Sequence, residues 1–217
     1  MRKALEMAKG KSVSQPMCPH GIVGRVFGKL MDLFNRPAHE FALKRLAVQE
    51  NDAILEIGFG TGQLTRMLAR KANKGFVAGV DPSELMVNTA HKRNTKYIKD
   101  GILDLRQGDA SNLPWANSRF DKIAALHSFQ FWSDPAHDLE EVARVLKPRG
   151  FLLLILRAHD GGRSWVDLPN PLSRSENEVE STIAELARHG FSNAAWEGKV
   201  GTSSIVTAVR TDGGCER

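Results

Sequence analysis

The chain has 217 residues, 41% of them apolar and 25% charged, with a net charge of +5. That length suits one domain with a sizeable core, and no apolar run approaches the roughly 20 residues that would span a bilayer. The two cysteines, Cys18 and Cys215, lie far apart without CxxC spacing, so neither a disulfide framework nor a zinc site is indicated and a reducing cytoplasm is the simplest setting.

Residues 1–20 are polar, broken by Pro16 and Pro19, and expected to be mobile. Their basic start, MRKALEMAKGKS, lacks the continuous apolar stretch of a signal peptide. GRVFGKLMDLF (24–34) and AHEFALKRLAV (38–48) carry apolar residues at helical spacing, with Arg36-Pro37 between them. Two helices ahead of the first strand are predicted. Next comes the apolar run Ala53 to Ile57, then EIGFGTG (56–62), then an amphipathic stretch from Gln63. That order sets a glycine turn between a strand and a helix, where α/β folds admit nucleotide-like ligands. Gly58, Gly60 and Gly62 permit positive φ and close ligand approach. The dinucleotide fingerprint needs its third glycine where this chain has Gln63, so the later elements decide the case.

Phe76 to Val80 forms a second strand-like run, ending in Asp81. An acid at that tip can accept hydrogen bonds from both hydroxyls of a ribose. A third run, Ile102 to Gln107, ends in Gly108-Asp109-Ala110, where Asp109 can read an exocyclic amine such as that of adenine. Phe120 to Leu126 and Phe151 to Leu156 supply a fourth and a fifth. Asp160 to Ser175 has paired glycines, two prolines and Trp165 without periodicity, and reads as a long functional or mobile loop. A helix follows from Glu176 to His189, capped by Gly190. Ala194 to Val200 and Ser204 to Arg210, split by Gly201, read as an antiparallel hairpin.

The succession LEIGFGTG, GVDPSELM, QGDASNLPW, FDKIAALHSFQFWSDP and EVARVLKPRGFLLL resembles the class I S-adenosylmethionine (SAM)-dependent methyltransferases. The likeness is closest to their small-molecule branch, which includes the ubiquinone and menaquinone biosynthesis enzymes. It covers residues 38–210; one departure is Arg149, where relatives usually carry glycine before the fifth strand. The resemblance implies an α/β, Rossmann-like three-layer sandwich. Its seven-stranded sheet is mostly parallel with the last strand antiparallel, under an N-terminal helical cap. The implied organisation is a flexible 1–20, one domain over 21–210 with its cap at 21–50, and a tail at 211–217. SAM is the implied cofactor, with Glu56, Gly58, Gly60, Gly62, Asp81, Pro82, Met86, Asp109, Ala110 and His127 around it.

Each position has a plainer reading. The glycines can serve turn geometry alone, Asp81 can cap a helix beside Ser83, Asp109 can form an Asx turn, and Met86 can be core. His127, at the end of the fourth strand, is the candidate catalytic base; it can equally wall the cofactor pocket or hydrogen-bond in the next turn. Of Phe129, Phe131 and Trp132, at least one is expected in the core. The histidines share no ligand spacing, so no metal is inferred.

The sequence therefore predicts methyl transfer to a small or lipid-like acceptor. A nucleic-acid target is not favoured, because the basic residues are scattered and no Asn/Asp-Pro-Pro-aromatic signature follows the fourth strand. A protein methyltransferase, a non-catalytic SAM-binding protein and a homodimer stay open; a nicotinamide oxidoreductase is disfavoured by Gln63.

Overall fold

The structure is a computed structural model describing residues 21–157 and 175–212, with side chains from Leu33 onward. The expected mobile segment 1–20, nearly all of the Trp165 loop and residues 213–217 lie outside the described residues.

A helix α1 (Gly21–Arg45) precedes β1 (Ala53–Ile57), α2 (Gln63–Lys71), β2 (Phe76–Asp81), α3 (Glu84–Lys99) and β3 (Leu103–Gln107). Then come β4 (Phe120–Leu126), a single 3-10 turn (Phe129–Phe131), α4 (Pro135–Val145), β5 (Leu146–Arg157), α5 (Glu176–Arg188), β6 (Phe191–Val200) and β7 (Ser203–Arg210). One sheet holds all seven strands in the order β3-β2-β1-β4-β5-β7-β6. The pairings from β3 through β5 are parallel, and β7 runs antiparallel to both β5 and β6.

β1 is buried along its whole length, as a strand covered on both faces must be, and this is why it reads as a continuous apolar run. One face packs Ile54, Val77, Ala124 and Leu153 against Leu64, Leu68 and Ala42 from α2 and α1. The other packs Leu55, Ile123, Leu152 and Val206 against Leu139, Val142 and Leu186 from α4 and α5. The outcome is the three-layer sandwich expected. Helix starts are fixed by side-chain caps: Ser83 for α3, Asp134 with Pro135 for α4, and a Ser175–Glu178 capping box for α5. No helix among the described residues is long and apolar enough to cross a membrane.

Three expectations need correction. The two helices predicted around Arg36-Pro37 are one helix with Pro37 inside it. Proline removes one helical donor, but the carbonyl left over belongs to exposed Leu33, and buried Ala38, Ala42 and Leu46 hold the following turns on the sheet. β5 begins at Leu146, not Phe151, so Lys147 to Gly150 lie within the strand, across an irregularity in its pairing with β4. Arg149 adopts φ 61° there, the left-handed conformation in which glycine would carry no strain. Third, β6 starts three residues before the run that announced it, at Phe191.

Candidate active site

In this strand order β1 is flanked by β2 on one side and β4 on the other, so the chain reverses direction of growth at β1/β4. Open α/β sheets bind ligands at such a point, beyond the carboxyl ends of the strands. The glycine turn lies there. Gly58, Gly60 and Gly62 have φ of 78°, 53° and 75°, all in the region glycine favours. Gly58 N–H donates to Val80 O and Gly60 N–H to Asp81 Oδ2, each at 2.8 Å, so the tip of β2 holds the turn. A Cβ on Gly58 would lie 2.4 Å from Ser128 Cβ, whereas one on Gly60 would meet nothing within 4 Å. Gly58 is therefore required by packing against the exit of β4, and Gly60 opens onto free space.

Asp81 is buried and does two backbone tasks, its Oδ1 also accepting from Ser83 N at 2.9 Å. Burial pushes its carboxyl up to about 6, against the lowering influence of the Ser83 and Gly60 N–H groups. Glu56 is 2% exposed, and its Oε2 has no hydrogen-bond partner among the described residues. Burial first, then the neighbouring charge of Asp81, raises its pKa well above the ordinary range. Asp109 is more exposed, and its Oδ1 accepts from both the backbone N (3.0 Å) and Oγ (2.6 Å) of Ser111. The Asx-turn geometry weighed for it is thus present.

His127 directly follows β4 and has φ 52°, an unusual conformation for a residue with a side chain. Its N–H donates to Ile155 O at 2.7 Å and its Nε2 lies 2.8 Å from Ser203 Oγ on β7. Nδ1 is buried with no partner among the described residues. Burial, then Arg157 and His39, lowers its pKa to about 3, so the imidazole is neutral at physiological pH. A base whose conjugate acid is that strong removes a proton poorly; the ring is better suited to forming a wall.

These groups converge on one cavity of about 250 Å³. Glu56, Gly58, Gly60, Asp81, Pro82, Met86, Asp109, Ala110 and His127 all line it, as do Phe131 and Trp132. Gly62 does not: a Cβ there would meet Ala90 Cβ and Asn94 Nδ2, each at 2.7 Å, so its role is the close approach of α2 and α3. Phe129 is the core member of the aromatic cluster, 3% exposed with its ring 4.8 Å from that of Trp132. Sequence reasoning gave no role to several lining residues, among them Asn35 and His39 on α1 and Asp138 on α4. Nothing local marks the α1 pair, and an acid in the first turn of a helix such as Asp138 reads as a partner of the helix dipole. Among the described residues no group of three His, Cys, Asp or Glu is placed to hold a metal ion.

Residues 55–154 match the methyltransferase domain family. An uncharacterised methyltransferase of Bacillus subtilis is 25% identical over 64% of this chain and 75% of its own length. The demethylmenaquinone methyltransferase of Thermotoga maritima is 38% identical over 48% of this chain, a match that spans only 43% of that enzyme. A SAM-dependent methyltransferase structure from Aquifex aeolicus is 25% identical with a TM-score of 0.71, covering 86% of this chain and 98% of the other. With the glycine turn, the acid at the tip of β2 and this strand order, these similarities support a SAM-dependent methyltransferase domain over residues 55–154.

Proposed function

We propose that this chain transfers the methyl group of SAM to a small, partly apolar acceptor. The observation that carries this reading is the make-up of the cavity, whose lining combines buried acceptor groups with aromatic and aliphatic side chains. The residues present fit the cofactor. Glu56 Oε2 is a buried acceptor in need of a donor, which suits the cationic methionyl end. Asp81 keeps lone pairs beyond its two backbone bonds for ribose hydroxyls. Asp109 and Met86 frame the place for adenine, and the free space at Gly60 lets a ligand approach the backbone.

When bound, SAM supplies an activated methyl group whose departure leaves a neutral thioether. The protein's contribution is alignment and exclusion of water. Leu126, Phe131 and Trp132 supply the apolar lining, which desolvates the reacting centre. The His127 ring, held by Ser203, fixes the wall at the end of β4; the proton of an acceptor hydroxyl is left to water or to another group. The name of the Thermotoga relative, a quinone-type methyltransferase, supports a flat, lipid-like acceptor. A cytoplasmic setting suits the two distant cysteines.

Incubating the protein with methyl-labelled SAM and fractionated small-molecule or lipid extracts, beside RNA and protein fractions, tests the proposal. Label in a small organic-soluble product is expected. Label confined to RNA or protein would overturn it.

A further inference from the structure

Asp138 lines the cavity, and the chemistry above makes no use of it. It sits on α4 beside His137, whose Nε2 lies 3.1 Å from Ser111 O, and one turn before Glu141, whose Oε2 accepts from Leu113 N at 3.1 Å. Glu141 neighbours both positions, at i+4 from His137 and i+3 from Asp138, and these bonds hold the start of α4, with Asp138, against the segment that follows Asp109. Asp138 is 2% exposed, and its Oδ1 is buried with no hydrogen-bond partner among the described residues. Buried acceptors are nearly always satisfied, and an exception in a residue that lines a cavity points to a donor arriving from outside the chain. The carboxyl is also anchored by the backbone N–H of Asp134. Burial and then the charge of Asp109 raise its pKa, a cost that a bound donor would relieve.

We infer that Asp138 and Asp109 form a two-acid clamp on the exocyclic amine of adenine, with Asp138 setting the selectivity of the site for a 6-amino purine. The inference rests on SAM being the cofactor. The amine carries two N–H groups, and carboxylate oxygens only accept. Asp109 already commits Oδ1 to Ser111, so a second acid beside it takes the second N–H. A 6-oxo purine would turn an acceptor toward the same two acids and be rejected.

Calorimetry on the full chain with S-adenosylhomocysteine and S-inosylhomocysteine tests the clamp. The variant is Asp138→Asn, whose carbonyl can still accept from Asp134 N–H while its amide turns donors toward the ligand. The wild type should prefer the adenosyl ligand. In Asp138→Asn that ligand should bind about tenfold more weakly, as for one lost hydrogen bond, with inosyl binding unchanged or tighter and the melting temperature unchanged. Equal weakening of both ligands, or no change in either, overturns the clamp and leaves the cofactor assignment standing. A wild-type chain that binds neither ligand overturns both.

Discussion

Replacing Asp81 by asparagine should trade cofactor affinity for stability, and the sign of each effect follows from where its carboxyl lies. Its pKa is raised from 3.8 to about 6 by burial. The folded state therefore holds the proton more tightly than the unfolded chain. Stability is greatest below the unfolded value and falls as pH rises through the folded one. That rise in pKa corresponds to about 3 kcal/mol. Asparagine has no charge to bury, so its stability relative to the wild type should rise by about 3 kcal/mol between about pH 3 and pH 7. Any constant offset from the hydrogen bond weakened at Gly60 or Ser83 cancels in that comparison. Binding should move the other way. Losing a charged acceptor for the ribose weakens S-adenosylhomocysteine by about 1.5–3 kcal/mol at neutral pH. Urea unfolding across the pH series, with calorimetry at neutral pH, measures both. A stability difference flat with pH, together with unchanged affinity, would refute the argument and leave Asp81 as a helix-start residue only.

Gly62→Ala should destabilise the protein by about 2–5 kcal/mol in denaturant unfolding, from left-handed strain plus the 2.7 Å contacts to Ala90 and Asn94; a cost under about 1 kcal/mol would show that α2 and α3 part easily. The His127 ring should show no NMR titration between about pH 5 and 8, because its folded pKa is near 3. The unfolded chain then binds more protons below about pH 6.5, so this residue contributes to acid destabilisation and His127→Gln should lessen it. An inflection near 6.5 in the folded protein would return the base role to His127. Methyl transfer should survive EDTA within about twofold, since the proposed chemistry needs no Lewis acid; loss restored by magnesium or zinc would overturn this.

The first half of the sheet was legible because each buried parallel strand ends in a residue its position demands. β1 runs into glycine, β2 into Asp81 and β3 into the Asp109 turn, so pattern and chemistry coincide. Boundaries failed where long-range packing overrode a local signal. Pro37 punctuates the sequence, yet the helix continues because its next turns are buried. Lys147 to Gly150 carry turn residues, yet strand pairing begins at Leu146. The same divide holds in the site. Gly60, Asp81 and Asp109 lie where strands end, which the sequence pattern exposes. Asn35, His39 and Asp138 arrive from helices whose faces are chosen by packing, and no spacing announces them. Gly62 sat within the motif and still proved to be a packing residue.

β7 lies between β5 and β6, although it follows both in the chain. During synthesis, then, β6 emerges before the strand that must receive it, and it has no other partner in the sheet. Two of the three strands beyond β4 wait on residues 203–210. His127 waits with it, since its Nε2 meets Ser203 at the head of that same strand. A nascent chain carrying every glycine and acid of the cofactor cleft would still lack a fixed far wall. Assembly of the catalytic chamber is thereby deferred until β7 itself has left the ribosome.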